Sequence, residues 1–390
     1  MKHVLFLAWQ YLKYHRVKTV FLLFAISLTF FIPMALNQLS QQGSEKLRAR
    51  AVSTPLLLGN KGSATELCLG SLYFREPNIE PIPYSSLEDL RQQGLARAIP
   101  LQLEYRVKQQ PIVGTTQDYF SFRKLSFAQG RPMAILGECV LGAKAAQALN
   151  ADVGSSVIST PAGAFDVAGS FPLKMKVVGI LHPNQTSDDT AVFTDVKTTW
   201  VISGKAHGHQ DIGVETADSL LLSKSESGVV ASPAVLSYTE ITPENIGSFH
   251  FHGNPENYPI TSVIVLPGDK KSELMLRGRY QQGQGLQMVV PEAIVDELVD
   301  TVVSIRDLLL LAAISIGLAT LLITAMVFLL SIQLRKAEIA TMKQIGAAPG
   351  AVRGILITEI LLVIGIGFLL AIVFVWTINR LGIPLLENYL

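Results

Sequence analysis

Three long apolar runs without a charged residue constrain this chain more than any other feature. They cover 19–38, 308–334 and 360–379, the last inside a segment that begins at 354. Each reaches the roughly 20 residues needed to cross about 30 Å of hydrocarbon at 1.5 Å per residue. A soluble helix of this length carries a polar face, and these do not. The wider composition agrees: 49% of the 390 residues are hydrophobic and 16% are charged, against about a quarter charged in an ordinary soluble chain. The fold class expected is a membrane protein, an α-helical bundle of three spans plus a mixed α/β extracytoplasmic domain on a helical stalk.

The first run is too long for a signal-peptide core, and no small-x-small cleavage site follows it, so it reads as an uncleaved anchor. Pro33 near its end is expected to kink it. Basic residues set the orientation. Lys2, Lys13, Arg16 and Lys18 precede the first span, and Arg335, Lys336, Lys343 and Arg353 lie between the second and third. Both flanks are therefore assigned to the cytoplasm. The segments are then 1–18, a cytoplasmic amphipathic stretch; 19–38, the first span; 39–307, the extracytoplasmic domain with its stalk; 308–334, the second span; 335–353, a cytoplasmic connection; 354–379, the third span; and 380–390, a short extracytoplasmic tail. In the first segment Leu5, Ala8, Trp9 and Leu12 recur at helical spacing. This fits either a helix lying in the membrane interface or an inward extension of the first span.

The large outer region alternates strand-like and helix-like stretches. Strands are expected over 101–107, 176–181, 191–194, 261–266 and 286–290, and helices over 86–93, 142–150 and 271–281. Ser85 and Glu88 have the spacing of a capping box, and Gly94 is a stop signal. The stretch 197–241 is polar and weakly periodic, and reads as loops or a subdomain boundary. From Pro291 onward Val295, Leu298, Val302, Ile305 and Leu309 fall at alternating spacings of three and four, a seam that continues into the second span. The seam suits the protein's own first helix, a second copy of the chain, or simple packing on its own domain.

Chemistry-bearing motifs are few. There is no GxxxxGK[ST], HExxH or GxSxG, so the chain reads as non-enzymatic. A net charge of +1 gives no footing for a nucleic-acid partner. Cys68 and Cys139 match no metal or redox spacing; they lie outside, where a disulfide can persist, and their apolar surroundings favour two buried free thiols over that pairing. Histidines form two H-x-H pairs, His207 with His209 and His250 with His252. In an extended chain residues two apart point the same way, so the two pairs can supply four nitrogens to a tetrahedral zinc ion, or one pair with Asp211 can supply three ligands. The plainer reading makes His250 and His252 the polar face of a strand and the other two loop residues.

The connection between the second and third spans is the most specific segment. Ile339, Met342 and Ile345 form an apolar ridge, Gly346 stops the helix, and Pro349 blocks its continuation. Glu359 lies at the start of the third span, with Arg353 as a candidate partner, and its plainer reading is a helix-packing residue without transport chemistry. The run Arg335-Lys336-x-Glu338-Ile339-x-x-Met342-Lys343-x-Ile345-Gly346-Ala347, followed by Glu359, resembles the FtsX/MacB-like class of ABC transporter permeases. The outer region resembles the same class in Gly142-Ala143-x-x-Ala146-x-x-Leu149 with Gly154, and in Lys176-Val177-Val178-Gly179-Ile180 followed by Asp188, Asp189 and Ala191-Val192-Phe193.

The resemblance implies a bacterial inner-membrane, multi-pass permease subunit with its N-terminus in the cytoplasm and its large domain in the periplasm. It makes the segment with Arg335, Lys336, Glu338, Ile339, Met342, Ile345 and Gly346 a coupling helix that docks on a separate ABC ATPase. That ATPase would hold the ATP and magnesium, and its motion would reach the periplasmic domain through the membrane helices. The stalk seam adds a second copy of the chain and hence two ATPase copies. Membrane lipids are partners by necessity, and a periplasmic binding or adaptor protein is a further candidate. The cargo is open, with a metal or metal complex in view from the histidines. The alternative is a signalling subunit that controls a periplasmic enzyme or sensor. One departure stands out: the class has four spans, and three are found here, so this is a three-span branch or a chain short at its end.

Overall fold

The computed structural model describes residues 2–382 apart from 77, 162–171, 209–220, 226–227, 232–238 and 284. The expectations placed on His209, on Asp211 and on most of the tail after 380 lie outside the described residues. Two compact units are present, one of Lys46–Glu297 and one of Met1–Glu45 with Leu298–Leu390.

The chain opens with two helices, α1 (Lys2–Tyr14) and α2 (Arg16–Val52). Pro33 lies inside α2 without ending it. The first half of the Lys46–Glu297 unit then runs through β1 (Leu56–Asn60), α3 (Ala64–Tyr73), α4 (Ser85–Gln92), β2 (Ala96–Leu101), β3 (Tyr105–Val107), β4 (Gln110–Thr115), α5 (Asp118–Arg123) and β5 (Phe127–Gly130). It continues with β6 (Glu138–Leu141), α6 (Ala143–Leu149), β7 (Lys174–Leu181), β8 (Val192–Asp195), α7 (Val196–Ile202), β9 (Ala206–Gly208), β10 (Phe249–Phe251), β11 (Ser262–Pro267), α8 (Lys270–Gln282) and β12 (Leu286–Val289).

Two sheets organise this unit. The smaller is antiparallel in the order β12-β1-β11-β2, with Leu57 opposite both Ile264 and Val289. Its core gathers Leu56, Leu58, Val263 and Val265 with Leu87 and Leu90 of α4 and Trp200 of α7. The larger sheet has eight strands and contains the run β5-β7-β6-β8-β4-β3, mixing parallel pairs (β7 with β6, β8 with β4) and antiparallel ones. Its central strand β6 is covered on both faces: Glu138–Leu141 is buried throughout. The unit is therefore the mixed α/β domain that the sequence announced.

Several local expectations need correction. The single strand over 101–107 is two strands, β2 and β3, which pair with different neighbours. Ser85 does not cap α4: Tyr84 is the cap residue and makes no side-chain bond, although Gly94 does turn the chain at φ +65. The polar stretch from 197 begins as a helix, α7, whose Trp200, Val201 and Ile202 are buried. Both thiols are free and buried as expected, and burial pushes the Cys68 thiol up to about 12.

A buried ion pair pins the start of the domain. Arg50, near the end of α2, donates to both carboxylate oxygens of Asp188 at 2.8 and 2.9 Å and to the Tyr119 hydroxyl at 2.8 Å. Tyr119 in turn donates to Asp188 at 2.7 Å. Burial alone would raise the Asp188 carboxyl, but the Arg50 charge and the hydrogen bonds from Arg50 and Tyr119 outweigh it and hold the group below its usual value.

The other unit is helical. After β12 come α9 (Pro291–Leu334), α10 (Lys336–Gln344) and α11 (Pro349–Thr377). Three helices are long and apolar enough to cross a membrane, those of α2, α9 and α11, in agreement with the three spans. A cluster of Leu12, Leu22, Ile26, Phe328 and Val363 ties α1, α2, α9 and α11 together. Packing is close: a Cβ on Gly367 of α11 would come within 2.8 Å of Ile26 on α2. Helix α1 is separate from α2, buries Ala8 and Leu12, and leaves Leu5, Trp9 and Tyr14 exposed.

Candidate functional site

The α9–α11 connection forms as a short helix between two breaks. Arg335 stands at its N-cap position and Ile345 at its C-cap. Gly346 adopts φ +93, a left-handed conformation that stops a helix at little cost only for glycine. Pro349 then opens α11, where its missing N–H is harmless. Of the expected apolar ridge, Ile339 and Met342 are half-buried, while Ile345 is 79% exposed just past the helix end. Lys336, Glu338, Lys343 and Gly346 are exposed around it. These residues make a presented surface, with one exception.

That exception is Arg335. It faces inward, 8% exposed, and donates through Nη1 to both Glu359 oxygens at 3.0 and 3.1 Å and through Nε to Glu338 at 3.3 Å. Its guanidinium lies 3.5 Å from the ring centroid of Tyr11. Tyr11 contacts Ser331 Oγ at 3.0 Å, and Lys18 donates to the same oxygen at 2.8 Å. The partner of Glu359 is thus Arg335, not Arg353, which is exposed. The reason is geometric. Arg353 and Glu359 are six residues apart on one helix and lie on different faces, whereas the hairpin returns α11 beside the end of α9. A polar node of Tyr11, Lys18, Ser331, Arg335 and Glu359 therefore joins α1, α2, α9 and α11 to the base of α10. Nothing in the local spacing announced it, since its members come from three separated segments, 11–18, 331–335 and 359.

The stalk seam lies on one continuous helix, as expected. Val295 is buried and Leu298 half-buried, while Val302, Ile305 and Leu309 are exposed in the single chain. The face of α9 that packs within the chain is a neighbouring stripe, through Val299, Ala313, Gly317, Thr324 and Phe328. A helix that is apolar all round carries more than one such stripe, and periodicity alone does not choose between them.

Three of the four histidines meet. Strands β9 and β10 pair antiparallel with His207 opposite His250. His252 follows β10 and stacks on His207 at 4.6 Å between ring centroids. The ligand nitrogens of His207, His250 and His252 all lie within 4.8 Å of one another. His209 lies outside the described residues.

The sequence was then compared with known proteins. A model of the MacB-like periplasmic core domain matches residues 25–227, and one of the FtsX-like permease C-terminal domain matches 310–386. The chain belongs to the FtsX/MacB-like ABC permease family. Members of this family are membrane subunits of ABC-type transporters, which accords with the three apolar spans and the mixed α/β domain. No curated protein matches the sequence. Among solved structures, the periplasmic region of MacB from Actinobacillus actinomycetemcomitans is similar at 13% identity, over 63% of this chain and 92% of that one, with a TM-score of 0.34. The extracellular domain of the noncanonic ABC-type transporter YknZ from Gram-positive bacteria is similar at 11% identity, over 60% and 98%, with a TM-score of 0.32.

Proposed function

We propose that this FtsX/MacB-like permease subunit carries the ATP-driven motion of a separate cytoplasmic ATPase to its periplasmic domain, and that α10 is where the ATPase docks. The carrying observation is the pairing of an exposed apolar end with a locked base. Ile345 stands 79% exposed, Lys336 and Lys343 flank it, and Arg335 ties the same short helix to Glu359 in a buried pair. A force applied to α10 therefore acts on α1, α2, α9 and α11 through the polar node rather than being absorbed by a loose loop. In this reading the N-terminus and α10 lie in the cytoplasm, the ATPase holds ATP and magnesium, and two copies of the chain assemble with two ATPases.

The test uses Ile345→Asp, which alters an exposed side chain and leaves the bundle intact. An unpaired charge pressed into an apolar groove costs roughly several kcal/mol, so at least a hundredfold weaker docking is expected. The tagged permease should insert and melt normally yet lose the ATPase on co-purification. Wild-type recovery of the ATPase would remove α10 from the docking role.

A further inference from the structure

The histidine cluster belongs to the Lys46–Glu297 unit, and the permease reading makes no use of it. We infer that His207, His250 and His252 form a binding site for a zinc-class divalent metal ion, to which they supply three imidazole ligands.

Three observations carry this. The first is convergence: ligand nitrogens on two strands lie within 4.8 Å of one another. Two nitrogens bound to one tetrahedral zinc at about 2.0–2.1 Å stand roughly 3.3 Å apart. Side-chain rotation closes the remaining distance without moving either strand.

The second is orientation. His250 Nδ1 lies 3.1 Å from the Ser248 carbonyl oxygen. A carbonyl only accepts, so Nδ1 carries the proton and Nε2 carries the lone pair. This is the outer bond that metal-ligating histidines usually make, and it fixes both tautomer and ring direction.

The third is a rigid mount. The His252 backbone donates to the Lys205 carbonyl at 2.9 Å and accepts from the Tyr258 hydroxyl at 2.7 Å. Phe251 stacks on Tyr258, and both pack against Trp200. Beside His207, a Cβ on Gly208 would meet the Phe249 ring at 2.6 Å, so glycine there lets β9 and β10 approach. Three side chains on a short, loosely held ribbon would wander; here the aromatic packing beneath the ribbon holds them together.

Three neutral nitrogen ligands suit zinc and its neighbours rather than calcium or magnesium, which take oxygen. The inference stands independently of the transport reading.

The experiment uses the full-length protein in detergent, stripped with a chelator and titrated calorimetrically with Zn2+ at neutral pH. One ion per chain is expected. His207→Asn, His250→Asn and His252→Asn should each weaken binding by about tenfold or more, since even outer-shell changes cost ten- to a hundredfold. His182→Asn, at an exposed position on the same unit, should bind as the wild type. No binding, or binding indifferent to all three substitutions, overturns the site. Should a metal-free variant melt below the wild type, the Co2+ spectrum of the wild type decides instead. Tetrahedral nitrogen-ligated bands support the site, and a spectrum like that of hydrated cobalt overturns it.

Discussion

Glu359 and Arg335 show what a buried pair does to a membrane-spanning helix. A carboxylate near the end of a span is costly unless matched, and the two hydrogen bonds from Arg335 match it. Removing one partner strands the other charge, at a cost of about 3–5 kcal/mol. Glu359→Leu should therefore lower the melting temperature markedly, while Arg335→Met with Glu359→Leu should recover most of it, because a packed apolar pair of similar volume is about as stable as the ion pair. Equal melting of single and double variants would show that the pair is not coupled. Asp188 allows a pH test in the other unit. Its folded carboxyl titrates below the unfolded one, so its stabilisation is complete above the ordinary carboxylate value of about 4 and is lost as pH falls through the folded value. Thermal melts taken from pH 6 to 3 should show a drop at the acid end that Asp188→Asn, less stable throughout, largely lacks. The sequence marked Glu359 and Asp188 as notable but supplied wrong or no partners. Arg335 is 24 residues from Glu359, and Arg50 is 138 from Asp188, distances at which only the fold decides who meets whom.

Elements were legible where local chemistry is decisive. Gly346 stops the chain just after α10 and Pro349 opens α11, as their backbone preferences require, and α9 ends at Leu334, where the apolar run gives way to Arg335-Lys336. Strands β7, β8, β11 and β12 fall within a few residues of their apolar runs. Errors cluster where apolar residues were few or shared. Helix α7 carries Lys197, Thr198 and Thr199 in its first turns and reads as polar, yet Thr198 and Thr199 are buried, and Thr199 Oγ1 donates to the Val196 carbonyl at 2.6 Å. A threonine that bonds its own helix can enter a core without a penalty that sequence reveals. The histidine pairs were legible as a pattern. Their meeting depended on β9 and β10 pairing across 43 residues, from His207 to His250, which no local signal contains.

At the scale of the whole molecule, the outer stripe of α9 asks for a partner. Val302, Ile305 and Leu309 are exposed at heptad spacing, beside the stripe that the chain uses itself. Lipid can cover the part inside the membrane, but Val302 and Ile305 precede the uncharged run that starts at 308, where burial of apolar surface is worth about 25 cal/mol per Å2. A two-fold pairing of α9 on a second copy uses the same patch on both subunits, as isologous dimers do. Cysteine cross-linking can read this directly, because Cys68 and Cys139 are buried and burial raises both thiols, leaving little background reactivity. Val302→Cys and Ile305→Cys should each give a disulfide-linked dimer in native membranes under mild oxidation, while Val299→Cys on the inner stripe should not. The detergent complex, weighed by native mass spectrometry, should contain two permease chains. Cross-linking from Val299 but not from Val302 or Ile305 would place the interface on the other stripe, and a complex with one permease chain would leave the outer stripe to lipid alone.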